Sequence, residues 1–501
     1  MKRKIKKALL FLHPATVFRQ RVDVNPLPPL GLAYIGAVLE KIGIEVKIFD
    51  CLAEGWDERV DAGNGMINIG TSFTEIEAII RAYGPDIVGV NSLFTTQRKN
   101  AHEIYALAKK VNKDIITVAG GAHSTAMPEL VLSDPNVDFV VLGEGEDSIA
   151  QLVSFLEGDA GISTLDGIGH KIHGKIEVIP KTRFIESLDS IPFPAYHLLN
   201  MERYFGLAAS HGPRKKKRFS PIVTSRGCTA GCSFCSAHKV WGKKFRYRSP
   251  ENVVAELEYL KEEYGIEEIM FEDDNVTLNV KRAEKLFELM IEKKLGLVWD
   301  TPNGVAAWTL NETLIDKMKE SGCYKINFPL ETGNQHVMDT LIKKPVRLEK
   351  VKPLVGYARK IGLDVNLFLV IGMPGETEAE IWDSFRLAKE LRVYFPHISI
   401  VTPYPGSELY DICVKNKYFV NGFSLDDLFI RSFCISTDEW DSEKLKDIYV
   451  KGQAYLLKEY FKHDPVQFSI RAIKKIYSEP MRAARLFCDM LFNKKEWSTI
   501  R

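Results

Sequence analysis

The chain has 501 residues, too many for one ordinary hydrophobic core, and this length predicts two to four domains. It is 45% hydrophobic and 27% charged, which is the composition of a soluble globular protein. Its 67 basic and 66 acidic residues nearly cancel, so the net charge offers no reason to expect a nucleic-acid partner. No apolar stretch approaches the roughly 18–20 residues that a membrane span requires.

The first 14 residues, MKRKIKKALLFLHP, imitate a signal peptide. Their apolar part is only ALLFL, and no small-residue cleavage site follows, so we predict a first β-strand instead. Three of the eight cysteines are clustered and five are scattered. This pattern does not suggest a disulfide framework, and it favours a reducing, cytoplasmic location with one thiolate site.

Residues 1–150 alternate short apolar runs with stretches of helical periodicity. This alternation predicts a doubly wound parallel, Rossmann-like sheet. Ligands bind such sheets at the carboxyl ends of the strands. The loops predicted there are rich in glycine, small polar residues or acids: 91–96, 120–123 and 143–147.

Residues 151–218 read as a connector with a hairpin-like stretch at 170–180. Near its end lies the basic run PRKKKRF, residues 213–219. Such a run fits a solvated loop, and a patch that binds polyanions is the alternative.

Residues 219–407 contain six further strand–helix units with long helices. We predict that they form a partial (β/α)6 barrel of the TIM type, with its working end where the strands finish. Residues 408–501 are mostly helical in pattern, and we expect this region to cover the barrel mouth as a substrate cap. Basic residues interleave with apolar helical stripes in 459–495, which also allows a helix that lies on a membrane surface.

The stretch SRGCTAGCSFCSAH, residues 225–238, follows the first strand of this second series. Its C-x3-C-x2-C pattern, together with His238, allows a tetrahedral zinc site. Structural zinc sites usually separate two ligand pairs by a longer insert, whereas three thiolates on one loop also suit a [4Fe–4S] cluster with one iron left open. Spacing alone leaves both metals open.

This cysteine motif, with the loops that follow it in order, resembles the radical S-adenosylmethionine (SAM) superfamily over roughly residues 218–405. The resemblance implies that Cys228, Cys232 and Cys235 bind three irons and that SAM binds the fourth. The acidic loop FEDD at 271–274 departs from the family's common Gly-Gly-Glu form. The SAM contacts that the resemblance implies are Phe234, Glu272, Asp273, Glu331 and Ile371.

An α/β domain before such a core resembles the cobalamin-binding domain of the cobalamin-dependent branch, although a nucleotide or flavin site would show similar loops. The D-x-H-x-x-G element, whose histidine binds cobalt in other cobalamin proteins, is absent. We therefore expect a corrinoid without a lower histidine ligand, and His123 fits a contact to the corrin edge or a structural role. The cobalamin contacts implied are Asn25, Ser92, Leu93, Thr95, Gly120, Gly121, His123, Gly143, Glu144, Gly145 and Glu146.

The resemblance implies an enzyme that uses a [4Fe–4S] cluster, SAM and cobalamin to methylate an unactivated carbon of a small molecule, through a 5′-deoxyadenosyl radical and methylcobalamin. Cyclisation, oxidation or ring rearrangement with the same parts is the alternative. A non-catalytic, zinc-stabilised binding protein is the alternative from another class. Methylthiotransferases carry three more cysteines before the core, whereas only Cys51 precedes Cys228 here.

The expected substrate is a lipid, a pigment or a natural-product intermediate. Because the cluster must be reduced, the resemblance also implies an electron donor such as flavodoxin or ferredoxin. Domain boundaries are predicted at 1–150, 151–218, 219–407 and 408–501.

Overall fold

The computed structural model describes most of the chain as an α/β protein with two large sheets and a helical carboxyl-terminal part. The described residues are 3–19, 24, 26–172, 174–207, 214–429 and 432–478.

The amino-terminal part contains ten strands and eight helices. The strands are β1 (Lys7–Leu12), β2 (Ala15–Phe18), β3 (Glu45–Asp50), β4 (Arg59–Gly63), β5 (Met66–Ile69), β6 (Ile87–Asn91), β7 (Ile116–Gly120), β8 (Phe139–Val141), β9 (Ile168–Ile172) and β10 (Lys175–Ile179). The helices are α1 (Leu30–Lys41), α2 (Cys51–Glu54), α3 (Phe73–Tyr83), α4 (Arg98–Val111), α5 (Ala122–Ala126), α6 (Pro128–Leu132), α7 (Gly145–Glu157) and α8 (Met201–Phe205).

The first sheet has the strand order β10-β9-β8-β7-β6-β1-β3. Its five strands from β3 to β8 are parallel, as the βα alternation predicts. The hairpin predicted within the connector forms, but β9 pairs antiparallel with β8 and extends this sheet to residue 179. A small antiparallel sheet, β2-β5-β4, is an addition that the periodicity did not predict.

The second sheet has the order β11-β14-β15-β16-β17-β18, so each strand lies beside the next one along the chain. All of its pairs are parallel, which confirms the predicted partial barrel. Its strands are β11 (Phe219–Ile222), β14 (Glu268–Phe271), β15 (Val298–Asp300), β16 (Cys323–Glu331), β17 (Asp364–Ile371) and β18 (His397–Ile400), and a short ribbon joins β12 (Ser225–Arg226) to β13 (Arg246–Tyr247).

The barrel helices begin and end where local capping chemistry dictates. Before α10, Ser249 accepts a hydrogen bond from the backbone of Asn252, and Gly265 ends that helix with a left-handed φ of 62°. Thr377 and Glu380 form a capping box at the start of α15. These helices are α9 (Ala237–Trp241), α10 (Pro250–Tyr264), α11 (Val280–Glu292), α12 (Glu312–Glu320), α13 (Gln335–Val337), α14 (Leu348–Lys360) and α15 (Glu378–Glu390).

The carboxyl-terminal helices are α16 (Glu408–Asn416), α17 (Ser442–His463) and α18 (Pro465–Ser478). Helix α17 packs on α15, on the outside of the barrel, where Gly452 lies against the Phe385 ring. A Cβ at this glycine would lie 2.0 Å from the ring, so the close approach requires glycine. The described helix α17 therefore braces the barrel wall, and the cap predicted for residues 408–501 stays a prediction.

The basic run lies at the amino ends of the barrel strands, opposite the cysteine loop. The Arg214 guanidinium lies 4.4 Å from the centre of the Phe219 ring, at the start of β11. Arg218 donates to Glu202 at 2.6 Å. The two arginines pack on the protein itself and the three lysines between them are exposed, which fits the predicted solvated loop. Within the described residues, no helix is long and apolar enough to cross a membrane.

Candidate active site

The cysteine loop leaves the carboxyl end of the first barrel strands and is held by two other parts of the chain. The Ser233 hydroxyl donates to the Leu341 carbonyl at 2.5 Å, and the Ser233 amide donates to the Ile342 carbonyl at 3.0 Å. The Leu409 amide, at the start of α16, donates to the Ser233 carbonyl at 2.8 Å. The loop is thus fixed from both sides before any metal binds.

Hydrogen-bond donors point at two of the three sulfurs. The Ala230 amide and the Asn275 side-chain amide lie 3.4 and 3.0 Å from Cys228 Sγ. The Ala237 amide lies 3.4 Å from Cys235 Sγ. Such donors stabilise sulfur that carries negative charge, as a thiolate bound to iron does.

Burial opposes that charge while the thiols are free. It raises the pKa of Cys232 to about 12 and that of Cys235 to about 11, so the unbound thiols are protonated at neutral pH. A metal ion displaces these protons when it binds. The donor set therefore fits a metal centre with thiolate ligands.

The zinc alternative needs ligands that converge on one atom. In the described part of the chain, no three His, Cys, Asp or Glu side chains are arranged to hold a single metal ion. A four-iron cluster makes no such demand, because each cysteine binds a different iron. The predicted fourth ligand, His238, has both ring nitrogens buried without a hydrogen-bond partner.

At the end of β14, the structure separates the two predicted acids. Both Asp273 oxygens accept hydrogen bonds from Thr224, at 3.0 Å from its amide and 2.7 Å from its hydroxyl. This use of the carboxylate gives no support to its predicted SAM contact. Glu272 lies at the rim, where its carboxylate accepts from Asn303 at 3.1 Å.

The next two residues, Asp274 at the end of the FEDD loop and Asn275 after it, face the cysteines, although neither was predicted as a SAM contact. Asp274 lies close enough to Cys228 and Cys235 to raise the pKa of both thiols. Asn275 donates to Cys228, as described above. The sequence could have pointed to these two residues only if the end of the strand at Phe271 had been known, because the strand end decides which residues of the following loop face the cysteines.

Glu331 lies at the end of β16 in a strained conformation, with φ of 60° beside a shift in strand register. Its carboxylate accepts from the Lys344 ammonium at 2.5 Å, and both side chains are more than nine-tenths buried. Although burial disfavours the ammonium, the Glu331 carboxylate and the nearby sulfurs of Cys232 and Cys228 raise the pKa of Lys344. Lys344 is a site residue that sequence reasoning missed.

The turn after β17 is held by a buried acid. Ile371 is fully buried, and Glu376 accepts from the amides of Gly372 and Met373 at 2.7 and 3.0 Å. The carboxyl-terminal segment covers this turn, since Glu439 accepts from the Gly375 amide at 3.2 Å. Phe234 is half-buried and packs against the barrel core.

Burial raises the pKa of Glu376 to about 8. The folded protein therefore keeps a proton that the unfolded chain releases near 4.5, and folding becomes less favourable as the pH rises between these values. We expect Glu376→Gln to gain about 3 kcal/mol in unfolding free energy relative to wild type between pH 5 and pH 8.

Denaturant unfolding of both proteins across this pH range measures the gain. Glu378→Gln, which changes a half-exposed acid two residues along the chain at the start of α15, is the matched control and should track wild type. A constant difference between Glu376→Gln and wild type across the range would contradict the expectation.

In the amino-terminal sheet, the loops after β6 and β7 come together at the carboxyl ends of the strands, as predicted. The His123 amide donates to the Ser92 carbonyl at 3.1 Å, and His123 Nδ1 lies 3.1 Å from the Thr95 hydroxyl. Gly121 has φ of 98°, and a Cβ there would lie 2.4 Å from the Asn91 side chain. Gly121 thus allows the two loops to meet.

These loops present groups that a large amphipathic ligand can use. The Ser92 hydroxyl and His123 Nε2 are buried without a hydrogen-bond partner. Burial lowers the pKa of His123 to about 4, so its ring is neutral at physiological pH. Leu93 and Phe94 are 48% and 59% exposed beside them. An apolar surface next to unsatisfied polar atoms fits a corrinoid. The predicted contact Asn25 lies outside the described residues.

The third predicted cobalamin loop, residues 143–147, has another setting. Gly143 lies against the cysteine-loop helix α9, since a Cβ there would lie 2.9 Å from the Val240 carbonyl. The next acids, Glu144 and Glu146, form buried ion pairs with Arg226 of the barrel. Their carboxylates are used in the contact between the two sheets, which gives no support to direct cobalamin contacts from these side chains. Gly145 starts α7 beside Ile35.

Comparisons with known proteins identify the families of both domains. Residues 222–388 match the model of the radical SAM superfamily, and residues 21–153 match that of the B12 binding domain. The chain is 37% identical to cytidylyl-2-hydroxyethylphosphonate methyltransferase of Streptomyces wedmorensis, over 90% of this chain and 89% of that protein.

A second relative is the anaerobic magnesium-protoporphyrin IX monomethyl ester cyclase of Rubrivivax gelatinosus, 28% identical over 80% of this chain and 69% of that protein. Among solved structures, the cobalamin-dependent S-adenosylmethionine radical enzyme OxsB, with aqua-cobalamin and SAM bound, superposes with a TM-score of 0.70. It is 14% identical, and the match covers 97% of this chain and 70% of that one.

Proposed function

The chain belongs to the cobalamin-dependent radical SAM enzymes, and from this premise we propose that it methylates an unactivated carbon of a small molecule. Its cofactors are a [4Fe–4S] cluster, SAM and cobalamin. The 37% identity to a methyltransferase over nine-tenths of the chain is the observation that carries methyl transfer. Membership of this enzyme family argues against the alternative of a non-catalytic, zinc-stabilised binding protein.

When bound, the cluster and SAM supply hydrogen abstraction from carbon, and the corrinoid supplies the methyl group. We propose Cys228, Cys232 and Cys235 as the cluster ligands. Glu331 and Lys344 present one buried carboxylate and one buried ammonium, which are the charges that complement the ammonium and carboxylate of SAM. Phe234, Ile371 and Glu272 remain the proposed contacts to the rest of SAM.

For cobalamin, we propose the loops after β6 and β7 as the binding surface. The buried Ser92 hydroxyl and His123 Nε2 offer hydrogen bonds, and the exposed Leu93 offers apolar contact. The residues proposed are Ser92, Leu93, Thr95, Gly120, Gly121, His123 and the glycines Gly143 and Gly145.

Both proposed cofactor surfaces meet at one junction, which methyl transfer to a shared substrate requires. Helix α5, which follows β7, contacts α9, which follows the cysteines. Gly406, at the end of the barrel, lies between the two, near Ala126 and Lys239. The substrate carbon can therefore lie within reach of both halves.

For the substrate, we propose a phosphonate natural-product intermediate, because the methyltransferase at 37% identity is named for such a compound. The cyclase at 28% identity favours a tetrapyrrole pigment as the second candidate, with ring closure as its reaction.

Anaerobically purified and reconstituted enzyme tests both proposals with SAM labelled in its methyl group. With a cytidylyl phosphonate we expect labelled product, S-adenosylhomocysteine and 5′-deoxyadenosine in equal amounts. The magnesium-protoporphyrin ester is the parallel substrate. Product without the label, formed with 5′-deoxyadenosine alone, would reject methyl transfer and favour ring closure or oxidation. Enzyme reconstituted without cobalamin is the control and should form no labelled product.

The electron donor, contact with a membrane surface and the cellular location stay predictions. Reduction by flavodoxin or ferredoxin follows from the need to supply an electron to the cluster. The apolar residues exposed on α17 and α18, such as Phe461 and Val466, are compatible with contact to a membrane surface. The seven described cysteines are all free, which is compatible with a reducing cytoplasm.

A further inference from the structure

We infer that four buried charged residues set the position of the cobalamin-binding part relative to the cysteine loop. These residues, Glu144, Glu146, Arg226 and Arg246, are called the junction cluster. The inference rests on the proposed function, because it assigns them as positioning residues for methyl transfer. Glu144 lies in the loop after β8 and Glu146 in the first turn of α7, whereas the two arginines lie in the ribbon that flanks the cysteines.

The contacts within the junction cluster are short and numerous. Arg226 donates to Glu144 at 3.1 Å and to Glu146 at 2.5 Å. Arg246 donates to both Glu144 oxygens, at 2.7 and 2.8 Å. Each arginine therefore crosses from the barrel to the first sheet, and two carboxylates balance two guanidinium groups.

The surroundings close the junction cluster to water. The four side chains are between 0% and 7% exposed. The Arg226 guanidinium lies 5.1 Å from the centre of the Trp241 ring and 5.2 Å from that of Tyr34. Arg246 also donates to the carbonyls of Ile185 and Trp241, each at 2.8 Å. These contacts hold each of the four side chains in one orientation.

Stability alone is a poor explanation for this arrangement. Apolar residues of similar volume would often hold two domains together equally well, because burying charges costs desolvation energy. Arginine contacts of this kind instead fix distance and orientation, because the planar guanidinium of Arg226 spans two carboxylates and that of Arg246 holds Glu144 together with two backbone carbonyls. Their attraction is directional, whereas an apolar contact tolerates sliding.

The place of the junction cluster in the chain connects it to both cofactor surfaces. Arg226 precedes Cys228 by two residues, and Glu144 follows Gly143, which touches the helix after the cysteines. The group that abstracts hydrogen and the group that donates methyl must reach the same carbon. A misplacement of about 1 Å in such geometry can cost about a hundredfold in rate.

The test compares Glu146→Gln with wild type in the fully reconstituted enzyme. The variant removes one charge while it keeps the side-chain shape. We expect 5′-deoxyadenosine formed per methylated product to rise about tenfold, because hydrogen abstraction continues while the methyl donor is displaced. We also expect a broader distance distribution between cob(II)alamin and the reduced cluster in pulsed electron paramagnetic resonance.

Glu186→Gln is the matched control. Glu186 pairs with Lys244 across the same junction, but both side chains are 69% exposed, so the ratio and the distance should stay those of wild type. If Glu146→Gln lowers only the melting temperature and keeps both readouts, the junction cluster is merely structural and the inference is overturned. Should that variant fail to fold, Arg246→Lys, which keeps the charge and loses the second guanidinium nitrogen that donates to the Trp241 carbonyl, is judged by the same distance measurement. A wild-type enzyme that methylates nothing would reject the proposed function, while the distance would still test the positioning role.

Discussion

Replacing Cys228, Cys232 or Cys235 with alanine is expected to remove the iron–sulfur chromophore and to lower 5′-deoxyadenosine formation by at least about a hundredfold. The three thiols lie on one loop, and the other described cysteines lie elsewhere in the fold. Among the residues that the structure describes, no neighbouring thiol can therefore replace a lost ligand. Iron and sulfide analysis of anaerobically reconstituted protein, with its absorption spectrum, measures the first effect.

Two control variants separate the cluster from its alternatives. Cys323→Ala changes a buried cysteine at the start of β16, at the other end of the barrel strands, and should keep the chromophore. His238→Ala should also keep it, because a four-iron cluster with SAM does not need this imidazole. If His238→Ala lost its metal and the wild-type protein contained zinc, these results would favour the mononuclear zinc site over the iron–sulfur cluster.

Replacing Lys344 with methionine is expected to lower the unfolding free energy by about 3–5 kcal/mol and to weaken SAM binding at least about tenfold. The substitution leaves the Glu331 carboxylate buried without its ion-pair partner. It also removes an ammonium that lies beside both Glu331 and the sulfurs of Cys232 and Cys228. Denaturant unfolding and calorimetric titration with SAM measure the two effects.

The adjacent residue provides the control. Lys343 pairs with Glu408 at 2.5 Å, but these side chains are 46% and 49% exposed. Lys343→Met should therefore change the unfolding free energy by less than about 1 kcal/mol and leave SAM binding unchanged. Equal effects of the two substitutions would show that Lys344 has no special role. A destabilised Lys344→Met that binds SAM normally would limit that role to folding.

Sequence patterns predicted the sheets because strand and helix periodicity is a local property. The parallel strands β1, β3, β6, β7 and β8 and the six barrel strands occur where apolar runs predict them. The predicted domain boundary at residue 150 divides the chain before the first sheet ends. The hairpin at 168–179 looked like part of a linker, yet it pairs with β8, and no local feature of its residues specifies that partner.

The candidate site also has features that local sequence patterns predict and features that they do not. Ser92, His123 and Glu331 lie at or just after the carboxyl ends of parallel strands, where ligands bind such sheets, and their cofactor contacts stay predictions. The side chains that meet there could not all be predicted. Asp273 turns to Thr224, whereas its neighbours Asp274 and Asn275 face the cysteines.

By itself, the sequence determined the two sheets, the three clustered cysteines and the family resemblance, since each depends on residue types at short spacing. Only the tertiary structure decided that Lys344 reaches Glu331 and that Arg226 reaches Glu144, 82 residues away along the chain. A buried charge needs a partner in space, and packing rather than spacing chooses it. For the same reason, two acids that resembled cobalamin contacts became part of the junction that we propose sets the geometry of methyl transfer.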